Sequence, residues 1–225
     1  MINMKPIAVS VICLLSLTLG GQNQQPMTTK KFHDAEAEKV LKELQTKLNS
    51  YANVLIEFAF QSEKDDKIID EMRGSISVKG TRYVLTTPML QIYCNGVTVW
   101  SYLPEQKEVT VSDYSEDDDS QMMNPLSLVK NYAKHYRSNF IKEGLNKGVM
   151  EQIIDLTPLK ASSLLKVRLV IDKNKKQIIR IILYEKDGMR YTYAITKFLT
   201  NQPIDDKKFT FDTAANPNVE VIDMR

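Results

Sequence analysis

The sequence predicts a mainly β protein, in which about eleven strands form one antiparallel sheet that curls into a barrel or half-barrel, accompanied by two amphipathic helices. Three observations predict this class. Apolar and polar residues alternate over most of residues 54–112 and 139–198, which is the period of a half-buried strand. Short turn signals separate these runs. Two further segments carry apolar residues at the helical period, so helices flank and interrupt the predicted sheet.

The composition is that of a globular chain with one domain or at most two. Of the 225 residues, 43% are hydrophobic and 26% are charged, which excludes an intrinsically disordered or fibrous protein. The formal net charge of +2 is too small for the basic field that binding to a phosphate backbone requires. We therefore expect no nucleic-acid partner.

The amino terminus indicates export. Lys5 precedes an uncharged apolar run at residues 7–19, which is too short to cross a bilayer because a crossing takes roughly 20 helical residues. Gly20 and Gly21 follow the run. This layout predicts a signal peptide over residues 1–21, cleaved near one of the two glycines, and an exported mature protein.

Two cysteines and a polar connector complete the domain plan. Cys13 lies inside the apolar run, and a lipid anchor at this residue stays open as an alternative to cleavage. If the signal peptide is removed, Cys94 is left alone and cannot form an internal disulfide. Residues 22–33 are interpreted as a polar connector, and residues 34–225 as one domain.

The domain begins with a predicted amphipathic helix that ends near Ser50. Asp34 is its expected N-cap, and Glu36 and Glu38 lie in its first turn, where negative charge is favourable. Its apolar stripe consists of Ala37, Val40, Leu41, Leu44 and Leu48.

Strands then follow in two groups. The expected strands lie at residues 54–61, 73–79, 83–86, 90–94, 97–102, 108–112, 139–143, 149–156, 164–172, 177–186 and 189–198. Asn95-Gly96 is the strongest hairpin signal, since a two-residue type I′ turn needs positive φ at both positions. The turn at residues 173–176 and Asp187-Gly188 predict two further tight turns.

A second helix is predicted between the two groups of strands. It follows an acidic loop at residues 113–121, with Asn124 as N-cap and Pro125 as the first helical residue. The expected apolar face consists of Leu126, Val129, Ala133 and Tyr136, and the opposite face of Lys130, Lys134 and Arg137.

The sequence offers few candidates for catalysis. Neither His33 nor His135 belongs to a set with the spacing of metal ligands. Asp117–Asp119 lacks the alternation, the Gly and the terminal Glu of a calcium loop. Cys94, at a strand end, fits a half-buried small hydrophobe better than a nucleophile. We therefore expect no catalytic residue, no metal and no cofactor, and a protein that binds its ligand without changing it.

The alternating strands predict an apolar concave surface. A ligand cavity and a sealed core are both consistent with the pattern. The residues expected to line this surface are Phe58, Phe60, Ile76, Val78, Tyr83, Leu85, Ile92, Trp100 and Tyr102.

Several segments carry a resemblance to a known family. They are DAEAEKVLKELQTKL (residues 34–48), FAFQ (58–61), NGVTVWSYLP (95–104), DLTP (155–158) and FTFDTAANPNVEVIDMR (209–225). In this order they resemble the periplasmic outer-membrane lipoprotein carriers of the LolA family. The resemblance implies an unclosed antiparallel barrel with a helical lid, and the transport of acylated lipoproteins from the inner to the outer membrane.

The resemblance also implies partners and a lid. The partners would be acylated lipoproteins, an inner-membrane lipoprotein-releasing transporter and an outer-membrane acceptor, with the carrier acting as a monomer. No cofactor is implied. The lid side chains expected to occupy the empty cavity are Val40, Leu44, Leu48, Leu126, Val129 and Tyr136.

One motif departs from the family. Where the family often has Lys-Arg-Pro, with an Arg thought to tie the lid to the barrel, this chain has Lys79-Gly80-Thr81-Arg82. Lys79 or Arg82 is the candidate to replace that Arg in lid control.

Two other functions stay open. One is a periplasmic sensor or regulatory domain on the same scaffold, which would bind a lipid or a membrane-protein partner. The other is an exported enzyme that uses Cys94.

Overall fold

A computed structural model describes residues 34–115 and 125–225. The chain forms helices α1 (Ala35–Asn49) and α2 (Pro125–His135) and a short 3-10 helix at Asp206–Phe209. Its strands are β1 (Val54–Lys64), β2 (Lys67–Lys79), β3 (Arg82–Thr86), β4 (Gln91–Cys94), β5 (Thr98–Leu103), β6 (Glu108–Asp113), β7 (Tyr136–Asn146), β8 (Val149–Pro158), β9 (Leu164–Asp172), β10 (Gln177–Glu185), β11 (Arg190–Thr200) and β12 (Glu220–Asp223).

All twelve strands found in the described residues belong to one sheet. Their order is β12-β6-β5-β4-β3-β2-β1-β11-β10-β9-β8-β7, so β12 and β7 are its edges and the barrel is not closed. The expected fold class, a curled and mainly antiparallel sheet with helices, is confirmed. The sequence missed β12, which pairs with β6 in parallel, because four exposed residues at the end of a chain carry no alternation that separates them from a loop.

Helix α1 begins and ends where its capping residues predict. The Asp34 carboxylate accepts hydrogen bonds from the backbone N–H groups of Glu36, at 2.8 Å, and of Ala37, at 3.2 Å, which satisfies two of the free donors of the first turn. Ser50 closes the last turn. Residues of the apolar stripe are buried, among them Leu41 and Leu44.

Helix α2 differs from its expected form in extent and face. It begins at Pro125 but ends at His135, so Tyr136 is the first residue of β7 and not a helical residue. Ala133, expected on the apolar face, is exposed. The buried side chains of α2 include Leu128, Val129 and Tyr132, a face about one position away from the expected one. Asn124 and the acidic loop from residue 116 onward lie outside the described residues.

The Asn95-Gly96 hairpin forms with a different turn from the one expected. Positive φ is found at Gly96, at 90°, but not at Asn95. The backbone N–H of Asn95 bonds to Thr98 O, and the Asn95 side chain accepts hydrogen bonds from the N–H groups of Val97 and Thr98. Gly96 and Val97 are therefore the loop residues, and Asn95 stabilises them as a local acceptor.

The inner face of the sheet is the face on which the helices pack, and it carries two clusters. The helix-side cluster consists of Ala37, Val40, Leu41, Leu44, Leu128, Val129, Tyr132, Tyr136, Ile154, Leu156, Leu164, Val167, Leu169, Ile171, Ile178 and Ile181. The strand-side cluster consists of Val54, Ile56, Phe58, Phe60, Ile76, Val78, Tyr83, Leu85, Ile92, Cys94 and Val99. Leu48, Tyr193 and Ile195 pack against both clusters, so the inner face is one apolar surface.

Candidate functional site

Most residues expected to line the cavity lie on the inner face. Pairing in register places Ile76 opposite Ile56, Leu85 opposite Ile76, and Ile92 opposite Leu85, and paired residues share one face of a sheet. The residues of the prediction that are buried there are Phe58, Phe60, Ile76, Val78, Tyr83, Leu85 and Ile92.

Trp100 and Tyr102 were placed on the wrong face by the sequence analysis. Trp100 pairs with Tyr93, whereas the inner residue Cys94 pairs with Val99, so Trp100 and Tyr102 point to the outer face. There the Tyr102 ring lies 5.1 Å from the Phe211 ring, centroid to centroid. Strand β5 carries apolar residues on both faces, Val99 and Leu103 on one and Trp100 and Tyr102 on the other. Its pattern therefore did not indicate which face is inner.

Strand β11 supplies inner-face residues that the sequence analysis did not name. Tyr191, Tyr193 and Ile195 alternate along the strand and pack against the strand-side cluster. The Tyr193 ring lies 5.6 Å from the Phe58 ring and 5.0 Å from the Phe60 ring, and burial raises the pKa of the Tyr193 hydroxyl. Their period of two was the signal that could have identified them.

Both helices place apolar side chains on the inner face. Val40 and Leu44 of α1 and Val129 of α2 are buried in the helix-side cluster, and Leu48 is partly buried against it. Tyr136 belongs to the same cluster but projects from β7. The Leu126 side chain lies outside the described residues. Leu128 and Tyr132 belong to the lid surface and were missed, because the expected face of α2 was shifted.

The helices leave little free space where the two clusters meet. A cavity of about 10 Å³ lies beneath the end of α1, which is room for about one water molecule. Its lining consists of Leu44, Leu48, Tyr51, Ile56, Lys176, Gln177, Ile178, Ile181, Ile195 and Phe198. The lid therefore fills this part of the inner face in the described state.

Lys79 and Arg82 both form an ion pair with Asp206, which lies in the C-terminal segment. Lys79 Nζ lies 2.7 Å from Asp206 Oδ1, and Arg82 Nη1 lies 2.8 Å from Asp206 Oδ2. In the register of β2 with β3, Lys79 lies opposite Arg82, and Ser77 lies opposite Val84. Residues two apart in a strand share a face, so Lys79 and Arg82 lie on the outer face with Ser77 and Val84. Their ionic partner therefore belongs to the C-terminal segment, on the side of the sheet away from the helices, and lid control by Lys79 or Arg82 stays a prediction.

Cys94 is not placed for nucleophilic chemistry. It is fully buried, and its Sγ accepts a hydrogen bond from the Gly96 N–H at 3.4 Å. Burial raises the pKa of the thiol, and the bonds to backbone groups oppose this only in part. The reactive form is the thiolate, so Cys94 acts as a small core residue. His135 is partly buried at the end of α2, and His33 lies outside the described residues.

Neither a metal cluster nor a membrane-crossing helix is found within residues 34–115 and 125–225. These ranges hold no group of three His, Cys, Asp or Glu side chains arranged to bind a metal ion. In the same part of the chain, no helix is long and apolar enough to cross a bilayer.

The described residues define a class of fold: an unclosed sheet with an apolar inner face and a helical cover. The comparison with protein families agrees with this class. Residues 58–212 match the family described as "Outer membrane lipoprotein carrier protein LolA", which is more than half of the chain. The chain belongs to the LolA family.

The chain is also similar to solved structures. An uncharacterized conserved protein of Thermus thermophilus superposes with a TM-score of 0.58 at 10% sequence identity, over 84% of this chain and 99% of that chain. A LolA superfamily protein of Nitrosomonas europaea has a TM-score of 0.44 at 14% identity, over 78% of this chain and 98% of that one. No curated protein matches the sequence.

Proposed function

We propose that the protein is a periplasmic carrier that binds the acyl chains of lipoproteins on its inner face and shuttles them from the inner to the outer membrane. Its export would depend on the signal peptide at residues 1–21. Its partners would be an inner-membrane lipoprotein-releasing transporter and an outer-membrane acceptor. Membership of the LolA family supports this assignment.

One observation carries the proposal. The apolar side chains of two helices occupy the inner face of a sheet that remains unclosed, since β7 and β12 are not paired with each other. Leu41, Leu44 and Val129 are at most 1% exposed, as they would be in a sealed core. If the helices move, however, an apolar ligand can replace their side chains on the inner face. The hydrogen bonds between the strands stay intact during this exchange.

The chemistry of acyl chains fits such a surface. Each buried methylene gains about 0.8 kcal/mol, so lipoproteins in water insert into a bilayer or aggregate unless they are shielded. The two helices cover the inner face when no ligand is bound, and they lower the apparent affinity because they compete for it. A carrier needs this competition, since a bound chain has to be released to an acceptor.

The proposal is tested by native mass spectrometry of the mature protein. The protein is incubated with vesicles that carry an acylated lipoprotein, separated from them, and compared with a sample prepared with a cargo variant that lacks the acylated Cys. We expect a one-to-one soluble complex with the acylated cargo alone. Absence of this complex would overturn the carrier assignment. A soluble complex with a membrane-protein domain, independent of acyl chains, would instead support a sensor.

Two adjacent residues of β11 provide matched variants. Ile195 faces inward and packs against both clusters, whereas Ala194 pairs with Ala59 on the outer face. We expect Ile195→Glu to abolish the complex and Ala194→Glu to preserve it, with folding of both checked by circular dichroism. If Ile195→Glu does not fold, Ile195→Trp tests the same surface by filling it. Retention of the complex by a folded inner-face variant would show that the ligand binds elsewhere.

A further inference from the structure

Polar contacts hold the C-terminal half of α1 to one turn of the sheet. Glu43 Oε2 lies 3.0 Å from Lys176 Nζ, and Lys47 Nζ donates a hydrogen bond to Lys175 O. Both lysines of the turn lie between β9 and β10. The Glu43 and Lys176 side chains are 40% and 51% exposed, so their contact is at the surface and easily separated.

This contact lies above the place where the two clusters meet. Lys176 is part of the lining of the cavity of about 10 Å³, together with Leu48 and Tyr51. Leu48 itself packs against both clusters. Separation of Glu43 from Lys176 would therefore open the inner face at its junction, where one apolar chain could reach both clusters.

A hydrogen bond from α1 couples the second helix to the first. The Gln45 side-chain amide donates to Val129 O at 2.8 Å and to Lys130 O at 3.0 Å. Both carbonyl groups belong to α2, so a displacement of α1 near Gln45 acts on α2 as well. The two helices thus form one cover in this region.

We infer that the Glu43–Lys176 ion pair is the gate of the acyl-chain site. In the empty protein the ion pair keeps α1, and with it α2, against the β9–β10 turn. It separates when an alkyl chain enters between α1 and that turn. This inference rests on the proposed function for its ligand. It assigns lid control to residues that differ from Lys79 and Arg82, whose ionic partner lies on the outer face.

The gate is tested with charge reversals in the mature protein. We compare wild type with Glu43→Lys, Lys176→Glu and the double variant that exchanges the two charges. The ligand is the neutral apolar dye N-phenyl-1-naphthylamine, whose binding does not depend on its own charge. Each single reversal removes the attraction that favours the closed state, so we expect binding to tighten about 2- to 5-fold. The double variant restores the pair and should return to the wild-type affinity.

A matched control comes from the same turn. Lys173 pairs with Glu143 of β7 at 2.6 Å, with side chains 47% and 30% exposed, and this pair does not include α1. Lys173→Glu makes the same charge change as Lys176→Glu and should leave dye binding unchanged. An equal shift in Lys173→Glu, or failure of the double variant to restore affinity, would overturn the gate.

Hydrogen exchange separates the gate from the proposed function. In the absence of any ligand, backbone amides in the second half of α1 should exchange faster in both single reversals than in wild type, again by about 2- to 5-fold. Unchanged exchange would refute the gate even if acylated cargo is carried. Faster exchange in a protein that carries no acylated cargo would refute the carrier assignment and leave the gate standing.

Discussion

Arg82 and Asp206 form an ion pair at 2.8 Å between the start of β3 and the 3-10 helix. The same guanidinium lies 5.6 Å from the centroid of the Phe209 ring, and Lys208 Nζ donates to Ser77 Oγ at 2.9 Å. Residues 205–212, the C-terminal strap, are thereby fastened to the outer face of β2 and β3. The charged residues at the β2–β3 turn, Lys79 and Arg82, therefore stabilise the strap. The helices are held by other contacts.

The strap is expected to contribute to stability through its aromatic residues. Phe209 is fully buried, so Phe209→Ala leaves a cavity and should lower the free energy of unfolding by about 3–5 kcal/mol, measured by urea unfolding. Lys207→Ala, an exposed position in the same helix, should change it by less than about 0.5 kcal/mol. Equal effects of the two variants would show that the strap is not packed as described.

Asp155 is expected to make stability depend on pH in the acid range. Its carboxylate accepts hydrogen bonds from Arg168 and from Lys166 at 2.7 Å. Burial alone would raise the pKa of Asp155, but the bonds from Arg168 and Lys166 outweigh it and lower the pKa below 3.8. The stabilisation is therefore present above the ordinary pKa and is lost as the pH falls through the lowered folded-state value.

This pH dependence is measured by urea unfolding of wild type and Asp155→Asn. At pH 7 the variant should be less stable by about 2 kcal/mol, because bonds to charged partners are lost. The difference should shrink toward zero as the pH falls below 3.8. A difference that stays constant down to pH 2 would mean that Asp155 contributes by packing and not by its charge.

Gly74 provides a test of packing on the inner face. A Cβ at this position would lie 2.5 Å from Phe58 Cζ and 2.9 Å from Thr86 O. Gly74→Ala should therefore displace the Phe58 ring and cost about 1–3 kcal/mol of unfolding free energy, and it should alter acyl-chain binding. Gly144→Ala meets no atom within 4 Å and should be close to neutral in both measurements. A neutral Gly74→Ala would contradict the close contact.

Cys94 should be unreactive in the folded mature protein. Because the thiol is fully buried and its pKa is raised, iodoacetamide at pH 8 should label it only after unfolding in guanidinium. Mass spectrometry of the two samples measures this difference. Rapid labelling of the native protein would revive the interpretation of Cys94 as a nucleophile, and loss of cargo binding in Cys94→Ser would support it.

Local patterns were sufficient to predict most elements. The N-cap at Asp34 and the stripe through Leu44 located α1, and strict alternation from Val54 to Phe60 located β1. These signals depend on neighbouring residues, since helix capping and strand alternation are local properties. Seven of the nine proposed cavity residues lie on the inner face. Those of β1 and β2 continue an alternation whose apolar side is clear, whereas β3 is apolar on both faces.

The local patterns failed where both faces of an element are apolar. Trp100 and Val99 are neighbours of similar hydrophobicity, and only the pairing of Val99 with Cys94 shows which one faces inward. The face of α2 was displaced by about one position because Leu126, Leu128 and Val129 fit more than one stripe. Tertiary contacts with the helix-side cluster selected Leu128 and Val129.

The sequence by itself determined the mainly β class, the bounds of α1 and of most strands, and the resemblance to the lipoprotein carriers, because each depends on residues close together in the chain. Only the tertiary structure decided the partners of charged groups. Lys79 is 127 residues from Asp206, and Lys176 is far in sequence from Glu43. A long side chain with one charge can pair with many carboxylates, and the choice among them follows from strand order and register, which bring distant segments together.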